Sequence, residues 1–97
     1  MIFAITCLDR TDATGVRAAT RPAHVDYLRS LGKTLVLAGP FLADDGTTAI
    51  GSFLLVEAAD KPAAEAIAAQ DPYAGAGLFA SVTVQPYRIV ILNPPAA

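Results

Sequence analysis

Ninety-seven residues, 54% of them hydrophobic and 16% charged, bound this chain to one domain, residues 1–97, with one modest core. The net charge is −2, no basic run or basic–aromatic interleaving points to nucleic acid, and no apolar stretch approaches the ~20 residues of a membrane span. One cysteine excludes a disulfide framework, and the apolar N-terminus lacks the basic start of a signal peptide, so a cytoplasmic location is expected.

Residues 2–8 are apolar and β-branched and predict a first strand. Cys7 lies in that strand and reads as an inert core residue. Residues 9–15 are polar and turn-like. Helical character starts near Thr14 or Val16 and runs to Leu31, with Gly32 placed as a C′ residue. Pro22 either opens this helix at its first turn or kinks a helix that began earlier. His24, Tyr27, Leu28 and Leu31 follow the i, i+3, i+4, i+7 spacing of one inward face.

A second strand is predicted over residues 33–42, centred on residues 34–38 and ending at Gly39-Pro40. Residues 43–48 form a hairpin loop with Asp-Gly chemistry, and Asp44-Asp45 reads as its solvated tip. Residues 49–58 predict a third strand. Asp60 caps a second helix with Pro62 near its start and an Ala-rich body to Gln70. Residues 71–77 break that pattern and leave room for one short helical turn before Gly77. Residues 79–92 predict a long fourth strand interrupted by Pro86, and residues 93–97 a flexible tail.

The order βαββαβ is the ferredoxin-like α+β plan: a mainly antiparallel four-stranded sheet with both helices on one face. The strands are apolar on both faces. Leu35 and Leu37 are expected to oppose Val36 and Ala38, and Ile50, Leu54 and Val56 to oppose Phe53 and Leu55. A half-solvated sheet alternates apolar with polar. Only Ala80, Val82 and Val84, against Ser81, Thr83 and Gln85, do so. Two sheets packed face to face in a homodimer satisfy this pattern, with higher assemblies left open.

Few residues can carry chemistry. There is no phosphate-binding loop, no dinucleotide fingerprint and no nucleophile elbow. One His and one Cys make no His- or Cys-rich metal site, so no metal is expected. His24 is the only histidine, and its helical face turns it inward, where an imidazole needs a polar partner. Asp71 is the best acidic candidate. Pro72 biases it away from helical geometry, so it marks the exit of the second helix on the same side of the sheet. Such a pair either ties two helices together or serves as a general acid/base. Arg21 shares the His24 side of its helix and either binds an anionic substrate or pairs at the surface. Tyr73 presents its hydroxyl to the same pocket or is a core aromatic. Gly39 and Pro40 shape a pocket wall or a bend. Ser52 and Ser81 have no visible base and read as structural.

The blocks Arg21-Pro22-Ala23-His24-Val25-Asp26-Tyr27-Leu28, Leu37-Ala38-Gly39-Pro40 and Asp71-Pro72-Tyr73 together resemble the YciI-like (YCII-related) family over nearly the whole chain. The resemblance implies a ferredoxin-like fold grouped with the dimeric α+β barrels. It also implies that His24 and Asp71 occupy the positions of an active-site pair. A related member is associated with dehydrochlorination of a chlorinated hydroxyquinol, which implies a lyase- or isomerase-like acid/base step on a small organic substrate without a cofactor. The alternative is a non-catalytic protein that binds a small molecule or serves a larger enzyme. The connection over residues 9–15 is slightly long for the family and, with the Pro-rich tail, could reshape the pocket mouth.

Overall fold

The computed structural model describes residues 1–95, apart from the side chain of Thr14. Its elements are β1 (Ile2–Asp9), α1 (Thr14–Ser30), β2 (Leu35–Leu42), β3 (Ala49–Glu57), α2 (Lys61–Ala69), a one-turn helix α3 (Pro72–Gly75) and β4 (Phe79–Tyr87). The strands form one sheet in the order β2-β3-β1-β4, and every neighbouring pair is antiparallel. This is the ferredoxin-like α+β arrangement expected from the chain order.

Strand register sorts the side chains. Phe3, Ile5 and Cys7 pair with Val56, Leu54 and Ser52 on one side and with Pro86, Val84 and Val82 on the other. Paired residues share a face, so this set looks toward the helices. Phe3, Ile5, Leu54, Val56 and Val84 are buried there with Ala64 and Ala68 of α2, and Leu28 of α1 packs against them. Small alanines let α2 lie close on β1 and β4. The Tyr27 hydroxyl donates to the Ile67 carbonyl at 2.7 Å and ties α1 to α2. Burial pushes the Tyr27 hydroxyl pKa up, and the Asp71 charge adds to it, so the phenol stays a donor.

The opposite face carries Leu8, Leu37, Phe41 and Tyr87, all exposed in the single chain, beside Thr6, Thr83 and Gln85. Leu37 belongs here and not with Leu35, contrary to simple alternation. The register skips between Leu35 and Leu37, so Val36 is an extra residue that turns the rest of β2 over.

The prolines mark edges, not ends. β2 continues through Gly39-Pro40 to Leu42, and Pro40 pairs with Ser52. β4 runs through Pro86 but stops at Tyr87, short of the expected Leu92. Both strands lie at the sheet margin, where a missing N–H faces no neighbour. Beyond β4, Val90, Ile91 and Leu92 are exposed and belong to no strand. Asn93 to Pro95 likewise lie in no regular element, and the rest of the expected tail falls outside the described residues.

α1 begins at Thr14 and carries Pro22 inside it, so Pro22 does not open the helix. Gly32, at φ +56°, ends it as the C′ residue and leads into a single 3-10 turn, Gly32–Thr34. Asp60 caps α2 by accepting from the Ala63 amide at 2.9 Å. Cys7 is buried, and desolvation, reinforced by the Asp71 and Asp9 charges, pushes its thiol up to about 12, which removes it as a nucleophile.

The β2–β3 loop is organised by Asp45. Its carboxylate accepts from the Thr47 and Thr48 amides, each at 2.9 Å, and from the Thr48 hydroxyl at 2.6 Å. These bonds lower its pKa from 3.8 to about 2. A lowered carboxylate contributes order above its unfolded value and loses it as pH falls through the folded one. Amide exchange at Thr47 and Thr48, corrected for its intrinsic rate, should therefore accelerate as pH drops from about 4 to about 2. Protection that persists below that window would contradict the assignment.

Candidate active site

α1 supplies Arg17, Arg21, His24 and Leu28 on one stripe, spaced by four, three and four residues. The stripe stands over the β2–β3 half of the sheet and leaves a cavity of about 250 Å³. Arg17, Arg21, His24, Val25 and Leu28 line it from the helix. Gly39, Pro40, Ser52 and Leu54 are among the residues that line it from the sheet, and Tyr73 enters from α3. The cavity thus brings together Arg21, His24, Gly39, Pro40 and Tyr73 from distant parts of the chain.

Asp71 stands behind His24. The imidazole Nδ1 is 2.8 Å from Asp71 Oδ1 and 3.0 Å from Oδ2. Both residues are buried, at 8% and 3% exposure. Asp71 Oδ1 also accepts from the Tyr73 amide at 2.9 Å, which makes Asp71 the N-cap of α3. Pro72, the first residue of α3, loses no hydrogen bond there. The Asp-Pro-Tyr block therefore builds a rigid cap whose carboxylate faces α1. A carboxylate accepts only, so it holds hydrogen on Nδ1 and leaves Nε2 as the imidazole's other site. Nε2 has no protein partner among the described residues.

Tyr73 is a core aromatic at 1% exposure and a wall of the cavity at once. Its ring stacks on His24 with centroids 3.9 Å apart and planes 19° apart. The Arg17 guanidinium lies 4.6 Å from the same ring centroid. Arg17 and His24 are seven residues apart, about 11 Å along the axis, which leaves room for one ring between them. Burial pushes the Tyr73 hydroxyl pKa up and the Arg17 charge opposes this, so the phenol stays protonated.

Two side chains here, Arg17 and Asp9, carried no role in the sequence, and a third, Ser52, read as structural. Arg17 donates from Nε to Asp9 Oδ2 at 2.7 Å and from Nη2 to Asp9 Oδ1 at 2.9 Å. Burial works against the Arg17 charge, but the hydrogen bond and charge of Asp9 outweigh it and raise its pKa. Nη2 also donates to Ser52 Oγ at 3.0 Å. Ser52 is therefore part of a polar network at the cavity wall, not an isolated structural residue. The signal for Arg17 was the stripe itself, four residues before Arg21 and seven before His24. Asp9 and Ser52 come from strands distant in sequence, and no spacing announces them.

A ferredoxin-like sheet with a cavity under its first helix, walled by His24 with Asp71 buried behind it, defines a small α+β protein with a single-chain pocket. The YCII-related domain model matches residues 1–88, and the chain belongs to that family. Protein YciI of Escherichia coli O6:H1 is 35% identical over 97 residues, covering 93% of this chain and 99% of that protein. An uncharacterized protein of Haemophilus influenzae is 33% identical over the same coverage. Among solved structures, the chain is similar to 5-chloro-2-hydroxyhydroquinone dehydrochlorinase (TftG) from Burkholderia phenoliruptrix AC1100, in complex with 2,5-dihydroxybenzoquinone. The TM-score is 0.83 and the identity 33%, over 91% of this chain and 94% of that one. No helix among the described residues is long and apolar enough to cross a membrane.

Proposed function

We propose that this protein is a cofactor-independent acid/base catalyst of lyase or isomerase type, acting on a small organic molecule in the cavity beneath α1. The observation that carries this reading is the capture of His24 Nδ1 by both oxygens of Asp71, with Nε2 left to the cavity. Asp71 orients the ring and stabilises its charged form, as a base needs. Nε2 takes a proton from the substrate. The electron pair left behind then forms a double bond and expels a leaving group, or accepts a proton at another carbon. Tyr73 packs the ring in place, Arg21 attracts an anionic group, and Gly39 and Pro40 leave the sheet side of the pocket open to a flat ligand. The similarity to a dehydrochlorinase with a bound quinone supports the class of chemistry and the size of ligand.

The test is chloride release from 5-chloro-2-hydroxyhydroquinone by the purified protein without added cofactor. Release above the protein-free rate is expected. A rate equal to the protein-free control would overturn the elimination reading.

The functional unit is a homodimer in the cytoplasm. Leu8, Leu37, Phe41 and Tyr87 on the sheet's open face, with Val90, Ile91 and Leu92 beyond β4, are left uncovered by the single chain. A second copy removes that apolar area from water. Light scattering at micromolar concentration should give twice the 10.0 kDa chain mass. The mass of one chain would contradict the dimer.

A further inference from the structure

We propose that Ser52 and Arg21 form an oxyanion subsite in the His24 cavity. Its substrates are small molecules in which the reacting C–H is conjugated to an oxygen that carries negative charge as the proton leaves. This rests on the acid/base reading above and narrows its substrate class.

Ser52 occupies a helix-facing position of β3, where the next two such positions, Leu54 and Val56, are apolar and buried. It is 3% exposed and lines the cavity. Its Oγ accepts from Arg17 Nη2, and among the described residues no acceptor is found for its own hydroxyl proton. A buried hydroxyl that only accepts has its donor unused. An oxygen of a bound ligand can take that proton.

Arg17 is held mainly from behind, and only its Nη1 is left without a hydrogen-bond partner among the described residues. Asp9 holds it through both Nε and Nη2. What Arg17 does is hold Ser52 Oγ and withdraw charge from it, which makes the hydroxyl a stronger donor. Arg21, one turn further along α1, lines the same cavity and is exposed, with no carboxylate in ion-pair range among the described residues. The cavity lining carries two guanidinium groups and no carboxylate, because Asp9 and Asp71 stand behind Arg17 and His24. Such a wall favours an anion.

The two halves of the site then act on one event. The C–H proton passes to His24 Nε2. The electron pair it leaves delocalises onto the conjugated oxygen, where Ser52 donates a hydrogen bond and Arg21 supplies positive charge. Donors fixed before the reaction stabilise developing charge most.

The test is an absorbance titration with 2,5-dihydroxybenzoquinone, which is ionised at neutral pH, and with its neutral dimethyl ether. Wild type, Ser52→Ala and Arg21→Gln are compared. Arg21 is exposed and Ser52→Ala leaves the Arg17–Asp9 pair intact, so both variants keep the fold. Each variant should bind the ionised quinone about tenfold more weakly, the loss of one charge-assisted hydrogen bond, with little change for the ether. Unchanged affinity in either variant, equal losses for both ligands, or no binding by the wild type in the millimolar range would overturn the subsite. Binding is read without turnover. Failure here with chloride release intact would leave the His24 reading standing, and the reverse result would remove the elimination reading while keeping Ser52 and Arg21 as an anion-binding pair.

Discussion

Replacing His24 with alanine should lower turnover by at least about a hundredfold, the usual scale for losing a positioned general base. The fold should survive. Asp71 keeps its bond from the Tyr73 amide but loses the imidazole, which costs about 1–3 kcal/mol for a buried acceptor left short of a donor. His24→Gln separates the two roles. A glutamine amide can still donate toward Asp71 and fill part of the ring's volume, yet it cannot carry a proton. Its thermal midpoint should therefore recover toward wild type while turnover stays lost. Activity that tracks stability across the two variants would mean that the pair only ties α1 to α3.

Tyr73→Ala should give the largest loss of stability. The ring is fully buried, stacks on His24, meets Phe79 edge-on at 6.0 Å between centroids and packs with Ala13 and Leu78. Truncating a buried aromatic costs about 3–5 kcal/mol. For a domain of this size that corresponds to a fall in melting temperature on the order of 20 °C. The site suffers with it, because Arg17 and His24 lose the surface that spaces them. Tyr73→Phe keeps the ring and should stay close to wild type in stability. A small shift for Tyr73→Ala would show that the cavity wall does not depend on this ring.

The outline of the fold was legible in local signals. Asp60 before Pro62 marks a capped helix, Gly32 marks an exit, and the apolar runs mark four strands. The errors share one cause. Pro40 and Pro86 read as breaks because a chain alone does not reveal which strands lie at the sheet margin, where a missing N–H goes unnoticed. Val36 hid a bulge, since an extra residue in an apolar run leaves the composition unchanged while reversing every face after it.

The site divides in the same way. His24 and Asp71 meet at hydrogen-bond distance because each lies on a pattern, one on a helical face and one before a proline. Arg17 lay on the same face but drew no attention, with Pro22 confusing the course of the helix. Asp9 and Ser52 join only through sheet register, which spacing within one strand does not carry.

The most direct measurement of the central claim is a crystal structure of the protein with 2,5-dihydroxybenzoquinone. The ring should lie in the cavity beneath α1, with a proton-bearing atom within about 3.2 Å of His24 Nε2. Density elsewhere on the molecule, with His24 held by Asp71 and touching no ligand, would contradict it.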